Sequence, residues 1–153
     1  MAKIKTIGIY GLEDSIVGSK FPMSVDIDNL NSEITNTTIS LASSSIGSAH
    51  DQFLTGITVI FDMTFSNKAW VEAERYTFLN FISSQSTMHR ISKFDIDVAC
   101  NSYVTQNIKD EVKRLIEYYN ENTTSENYLT LLYNIPSGFE LTARMITNYR
   151  CLK

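Results

Sequence analysis

The sequence predicts an α+β fold, a mainly antiparallel sheet packed with helices, from three observations. Residues 57–65 place apolar side chains at every second position, which is the period-two pattern of a strand with one face in the core. Residues 108–119 instead carry their apolar side chains along one helical stripe, with charged side chains on the other face. The elements run strand, helix, strand, helices, strand, which is not the repeating order of a parallel sheet. We therefore expect one α+β domain over residues 1–153.

The first third of the chain is predicted to contain one strand and one helix. Residues 3–10 are rich in β-branched side chains and stop at Gly11, so they predict an opening strand. Between residues 25 and 41 apolar side chains recur at helical spacing, with Asp28 as a candidate N-cap, which predicts a polar helix. The serine-rich stretch 42–49 is predicted to be a loop.

The second half is predicted to be mostly helical before a last strand. Helices are expected at residues 68–81 and 125–133 in addition to the amphipathic one already described. A strand is expected at residues 139–146 after a Pro–Ser–Gly turn, in the same sheet as residues 57–65. The polar neighbours of Trp70 lead us to expect a partly exposed side chain at a subunit contact.

Composition narrows the class of protein. No apolar run approaches the about 20 residues needed to span a bilayer, so we expect a soluble, cytoplasmic protein. Cys100 and Cys151 are too few for a disulfide framework or a zinc site, so we expect free thiols and no metal. A formal net charge of −4 argues against a nucleic-acid-coating surface and leaves room for a small basic pocket. The common phosphate-binding and metal-binding motifs are absent from the sequence.

The polar run at residues 83–90 is the first candidate for a binding site. It follows the apolar stretch 78–82 and ends in His89 and Arg90. Its hydroxyls and amide give directional hydrogen bonds, and the guanidinium of Arg90 can hold a phosphate or carboxylate through two parallel bonds. This chemistry suits a nucleotide monophosphate. The alternative is an ordinary transition from helix to loop, in which the hydroxyls only cap the helix.

Several motifs, taken in order over about residues 45–153, resemble those of the flavin-dependent thymidylate synthases, the ThyX family. They are Gly47–His50, the strand to Phe65, the helix with Glu72 and Arg75, the run Ser84–Arg90, Ile135–Pro136 and Asn148–Leu152. The sequence looks still more similar to uncharacterised phage-encoded proteins that share Met-His-Arg after the serine run and Leu-Thr-Ala-Arg before Asn-Tyr-Arg.

The resemblance implies a function, a cofactor and an assembly. ThyX enzymes are homotetramers whose active sites lie between subunits, and they methylate deoxyuridine monophosphate (dUMP) with flavin adenine dinucleotide (FAD), a reduced nicotinamide and a folate donor. By position, His50 would be the cofactor-binding histidine near the flavin. The positions implied to bind the substrate are Ser84, Gln85, Ser86, Arg90, Asn148 and Arg150, and we expect His89 and Arg144 to bind it in the same pocket.

The sequence also departs from the family pattern. The family's Arg-His-Arg is replaced by residues 77–79, and Arg75 is out of register. The family's Asn-Glu pair stands here as Ser84 and Gln85, and a neutral amide cannot accept a proton at pH 7. The sequence stops at Lys153, where the family has a helix with further arginines, so we expect a ThyX-like fold truncated at the C-terminus.

Three functional hypotheses remain, in this order. The first is a phage-type, ThyX-like homo-oligomer, a dimer or tetramer, that binds a dUMP-like nucleotide or FAD without complete thymidylate synthase activity. The second is a phage accessory or counter-defence protein that binds a host macromolecule in the host cytoplasm. The third is an active flavin-dependent methyltransferase in which Tyr76, Tyr149 or His89 transfers a proton.

Overall fold

The computed structural model describes residues 3–153, which form four strands and eight α-helices. The strands are β1 (Lys3–Tyr10), β2 (Thr58–Ser66), β3 (Asn80–Ser84) and β4 (Glu140–Asn148). They form one antiparallel sheet in the order β1-β2-β4-β3. The helices are α1 (Leu12–Ser19), α2 (Asn36–Ala42), α3 (Asn67–Ala73), α4 (Thr87–Arg90), α5 (Ile96–Ala99), α6 (Gln106–Glu121), α7 (Ser125–Tyr133) and α8 (Tyr149–Leu152). The predicted α+β class is confirmed.

Three short 3-10 helices complete the secondary structure, at Phe21–Met23, Gln52–Gly56 and Ile91–Lys93. Among the described residues, no helix has both the length and the apolar character needed to cross a bilayer. Both cysteines are free thiols, as expected.

The described chain forms two compact units. Unit 1 contains residues 3–5, 62–77 and 81–144, and unit 2 contains residues 6–61, 78–80 and 145–153. The expectation of a single domain over the whole chain stays a prediction.

The core of unit 1 is built around the start of β4. Phe139 and Leu131 are fully buried, and the ring of Phe94 meets that of Phe139 edge-on, with centroids 5.2 Å apart. The apolar stripe of α6, with Val112 and Leu115, packs into the same cluster. The apolar stripe predicted from the sequence is therefore the face of α6 that is buried.

The strong patterns gave the right elements. The expected strands at residues 3–10, 57–65 and 139–146 are β1, β2 and β4, and β2 and β4 are neighbours in the sheet. The expected helices at residues 108–119 and 125–133 are α6 and α7.

The helix expected over residues 25–41 is wrong over most of its length. Only α2 forms, and its N-cap is Thr35, whose hydroxyl accepts from the amide of Thr38 in a capping box. The amide of Asp28 instead donates to the side chain of Asp26. Short polar side chains bond to nearby backbone in this way and so compete with helix formation.

The helix expected over residues 68–81 is also wrong at its C-terminal end. The helix α3 ends at Ala73, and Phe81 and Ile82 belong to strand β3. Aromatic and β-branched side chains favour a strand, and pairing with β4 decides the outcome here. The polar run at residues 83–90 therefore begins at the end of a strand and not at the end of a helix.

The expectation that Trp70 is partly exposed is wrong as well. The side chain is only 8% exposed, and its ring lies between those of Phe65 and Phe81, with both centroid distances 5.2 Å. Its indole N–H donates to the carbonyl of Leu141 at 3.0 Å. The polar neighbours in sequence lie on the outer side of α3, while Trp70 faces inward.

Candidate functional site

Unit 2 contains a polar cavity of about 1150 Å³. Its walls come from α1, from the segment that leads to α2, and from residues 49–56. The hydrogen-bonding side chains that line it include Ser15, Ser19, Lys20, Asn29, Asn31, Glu33, Thr35, His50 and Gln52. Hydroxyls, amides, one ammonium and one imidazole together can bind sugar hydroxyls, a base or a phosphate, and the carboxylate of Glu33 can accept a hydrogen bond from a sugar or a base.

Local sequence explains how these walls meet. Gly11 has a φ of 72°, and a Cβ there would stand 2.5 Å from the carbonyl oxygen of Gly56, so this corner requires glycine. The ammonium of Lys20 donates to the main-chain and side-chain oxygens of Asn31, at 2.7 and 2.9 Å. One N–H of Lys20 is left for a ligand.

His50 lies exposed on the wall of the polar cavity, and the residues that follow it receive Arg150. The Nε of Arg150 donates to Asp51 at 3.1 Å, and its Nη1 donates to Gln52 at 2.6 Å. The structure thus brings two predicted site residues, His50 and Arg150, into one region of unit 2. The Nη2 group of Arg150 has no partner within the described part of the chain.

Asp51 lies at the centre of this region, and no motif in the sequence pointed to it. Its carboxylate is 2% exposed and accepts from both Arg150 and Lys153, the latter at 2.8 Å. The hydrogen bond from Lys153 and the charges of both cations lower the pKa of the Asp51 carboxyl, against the opposing effect of desolvation. Because Arg150 lies 99 positions away in sequence, no local spacing could have revealed the pair.

The remaining residues of this C-terminal element have structural roles. The side chain of Asn148 accepts from the amide of Cys151 at 3.0 Å and is the N-cap of α8. The amide of Tyr149 donates to the carbonyl of Ile57 at 2.9 Å. Together these bonds fix the turn that directs Arg150 toward Asp51.

In unit 1, the polar run forms a small hydrogen-bonded group. The hydroxyl of Ser86 lies 2.9 Å from Nδ1 of His89, and both residues are on the short helix α4 or at its start. Ser84 is exposed at the end of β3. Arg90 is exposed and makes no hydrogen bond or ion pair to any other described residue. This guanidinium is therefore available to a ligand.

Two other predicted site residues of unit 1 are engaged with the sheet. Gln85 makes two hydrogen bonds to the main chain of Thr142, each 2.9 Å long. Its main-chain N–H donates to the carbonyl of Thr142, and its side-chain oxygen accepts from the main-chain N–H of Thr142. Arg144 forms a two-point ion pair with Asp62, at 2.8 and 3.1 Å, which lowers the pKa of the Asp62 carboxyl. The side-chain oxygen of Gln85 and the guanidinium of Arg144 are therefore already bonded to residues of the sheet.

Comparison with known proteins shows the fold. No protein-family model and no curated protein matches the sequence. Among solved structures, ThyX from Helicobacter pylori, crystallised with FAD and dUMP, matches with a TM-score of 0.70 at 12% identity, over 99% of this chain and 80% of that one. The chain has a ThyX-like fold. The UMP/dUMP methylase PolB from Streptomyces cacaoi, bound with 5-Br dUMP, matches with a TM-score of 0.57 at 14% identity, over 99% and 75% of the two chains.

Within this ThyX-like fold, the residues chosen by motif fall into two groups. His50, Asn148 and Arg150 belong to unit 2, and the run 84–90 with Arg144 belongs to unit 1. Their roles in binding stay predictions. In the part of the chain that the structure describes, no group of three His, Cys, Asp or Glu side chains could hold a metal ion.

Proposed function

We propose that this ThyX-like chain binds a nucleotide of the dUMP type or a flavin such as FAD in the polar cavity of unit 2. The observation that carries the proposal is the position of His50 and Gln52 on the cavity wall, with Arg150 bonded to Gln52. The solved structures with this fold include a ThyX with FAD and dUMP and a methylase with 5-Br dUMP.

The cavity fits such ligands in size and chemistry. Ligand pockets commonly measure about 300–1,000 Å³, and this cavity of about 1150 Å³ has room for a dinucleotide. The free N–H of Lys20 on the cavity wall is suited to a phosphate oxygen, because charge-assisted hydrogen bonds are the strong ones. Arg150 does not line the cavity itself but is bonded to Gln52, which does. The hydroxyl of Ser15 is suited to a ribose, whereas the hydroxyl of Ser19 already donates to the carbonyl of Ile16 and that of Thr35 is part of the cap of α2.

We further propose that the chain does not complete thymidylate synthesis. Gln85 is a neutral amide, and its oxygen already accepts from the backbone of Thr142. Arg144 is held by Asp62, so using it on a phosphate would first require breaking a two-point ion pair. The polar run of unit 1 contains no carboxylate and only one arginine, Arg90, so it lacks groups that such a reaction needs.

Gly18 allows a direct test of the cavity. It lies in α1 on the cavity wall, and a Cβ added there would meet nothing within 4 Å. Gly18→Phe should fill part of the cavity, and Gly18→Ala is the matched control because it changes helix propensity without filling it. The control should be more stable than the wild type by up to about 1 kcal/mol.

The measurement is isothermal titration of each protein with FAD and, separately, with dUMP. We expect saturable binding of at least one ligand to the wild type and to Gly18→Ala, and at least tenfold weaker binding to Gly18→Phe. His50→Ala should weaken binding too. Absence of binding at millimolar ligand, or equal binding by both Gly18 variants, would rule out this site. Bleaching of a bound flavin by a reduced nicotinamide would instead favour the active enzyme.

We also propose that the protein is a homo-oligomer. Both edge strands of the sheet expose apolar side chains, with Ile4 at 66% and Ile9 at 47% on β1, and Phe81 at 45% and Ile82 at 50% on β3. Exposed apolar surface of this kind is typical of protein contacts. Light scattering coupled to gel filtration should give a dimer or tetramer, and a monomer at all concentrations would contradict this proposal.

One observation favours the second candidate function, binding to a host macromolecule by a phage accessory protein. The segment after α1 exposes Met23 at 92% and Val25 at 106%. If this segment binds a host protein, Val25→Asp should abolish recovery of a stoichiometric partner from a host lysate and leave FAD titration unchanged.

A further inference from the structure

Unit 2 also contains an apolar cavity of about 360 Å³. Its walls come from α1, α2, the 3-10 helix Gln52–Gly56 and α8, and most of the side chains that line it are aliphatic or aromatic, among them Leu12, Ile16, Phe53 and Leu54. It is separate from the polar cavity, although Thr38 and Phe53 contribute to both.

The apolar cavity is open to solvent, because three of its lining residues are exposed. Ile34, Ile39 and Leu152 line it and remain 57%, 54% and 52% exposed. Apolar walls of this kind hold water poorly, and an unfilled cavity loses the dispersion contacts that a bound molecule would restore. This cavity should therefore accept the apolar, hydrocarbon part of a ligand.

The polar groups of the cavity specify the other part of the ligand. Lys153 is the one charged side chain on the described wall, and two of its three N–H groups donate to Asp51 and to the carbonyl of Ser44. Around Asp51, one carboxylate faces two cations, Lys153 and Arg150. Tyr149 also lines the cavity. The side chains here thus favour an anion.

We propose that the apolar cavity binds a small amphipathic carboxylate, with its hydrocarbon body among α1, α2 and the 3-10 helix and its carboxylate on Lys153. A cavity of about 150 Å³ holds benzene, so 360 Å³ has room for roughly ten to fourteen non-hydrogen atoms. This is the size of octanoate or decanoate. The inference does not depend on nucleotide binding in the polar cavity.

A series of straight-chain carboxylates tests the shape of the cavity. The full chain is titrated by calorimetry with hexanoate, octanoate, decanoate and dodecanoate, each below its micelle concentration. Affinity should rise about fourfold for each added methylene while the cavity fills, and should then stop rising. Octanol and octylamine carry the same body, and both should bind at least tenfold more weakly than octanoate.

Two substitutions locate the binding. Ala42, the last residue of α2, lines the cavity, so Ala42→Phe should fill it and weaken octanoate binding at least tenfold. Ala73→Phe is the matched control, since Ala73 is the last residue of α3, a helix of the same length in unit 1. Lys153→Met removes the ammonium and keeps an apolar stem, so it should weaken octanoate and leave octanol unchanged.

Several results would overturn the proposal. They are affinity that does not change with chain length, equal binding of octanoate and octanol, and equal effects of Ala42→Phe and Ala73→Phe. If instead Ala42→Phe dissociates an oligomer of the wild-type chain and no carboxylate binds, a second copy of the chain occupies the cavity. Circular dichroism of each variant confirms that it is folded. Titration of the same proteins with FAD shows whether the polar cavity binds its ligand, independently of the outcome with carboxylates.

Discussion

Replacing Trp70 tests the packing of unit 1. The sequence led us to expect a partly exposed side chain at this position, and the structure buries it. The indole N–H donates to Leu141 in β4, and the ring packs against Phe65 and Phe81. Trp70 therefore fastens α3 to the sheet beside Thr142, which pairs with Gln85. Removing the Trp70 side chain should therefore destabilise the packing of α3 on the sheet next to the polar run.

The size of the effect follows from the contacts. Trp70→Phe loses one hydrogen bond, worth about 0.5–1.5 kcal/mol net, and two buried carbons, worth about 0.8 kcal/mol each. We expect the free energy of unfolding to fall by about 2–3 kcal/mol for Trp70→Phe. Trp70→Ala also removes both ring contacts and leaves a cavity, so it should cost at least about 4 kcal/mol.

Urea unfolding followed by far-ultraviolet circular dichroism gives these energies for all three proteins. Since Trp70 is the one tryptophan in the sequence, native wild-type fluorescence should also be blue-shifted and move to the red on unfolding. Native emission at the wavelength of free tryptophan, or a loss below about 1 kcal/mol for Trp70→Ala, would refute burial of the indole in unit 1.

Three further results are expected. The lowered pKa of Asp51 means that its ion pairs stabilise the fold above the unfolded pKa, so the advantage of the wild type over Asp51→Asn in urea unfolding should be constant near neutrality and shrink as the pH falls below about 4. Gln85→Glu keeps an oxygen that accepts from Thr142 and should unfold at nearly the wild-type temperature, whereas Gln85→Ala should unfold at a lower one. A thiol reagent should modify exposed Cys151 in the native protein but Cys100 only after unfolding, because burial both shields Cys100 and raises the pKa of its thiol.

The sequence predicted those elements that local patterns determine. The alternation of β2 and the apolar stripe of α6 come from side chains within a few positions of one another, and both elements appear where expected. For α7 the predicted residues 125–133 are the observed ones, since Thr124 accepts from the amide of Asn127 and defines the start.

Elements determined by distant partners were not predicted. Residues 80–84 look like the end of an apolar helix, and they become β3 because β4 offers backbone partners more than fifty residues away, as the pair Gln85 and Thr142 shows. The same holds for the candidate site. The motifs pointed to His50 and Arg150, but Asp51, which holds Arg150 beside that histidine, has no signature of its own.

The two cavities of unit 2 share Thr38 and Phe53, so a ligand bound in one cavity can change the affinity of the other cavity for its ligand. A carboxylate on Lys153 would share that ammonium with Asp51. In sequence, Asp51 stands between His50 and Gln52, which both line the polar cavity. By thermodynamic linkage, if octanoate changes the affinity for FAD by some factor, FAD must change the affinity for octanoate by the same factor. Titrating each ligand in the presence of saturating amounts of the other measures both factors. A factor different from one, and equal in both directions, is expected if the shared wall transmits binding. If both ligands bind and both factors equal one, the two cavities act independently, and the contacts of Thr38 and Phe53 do not couple them.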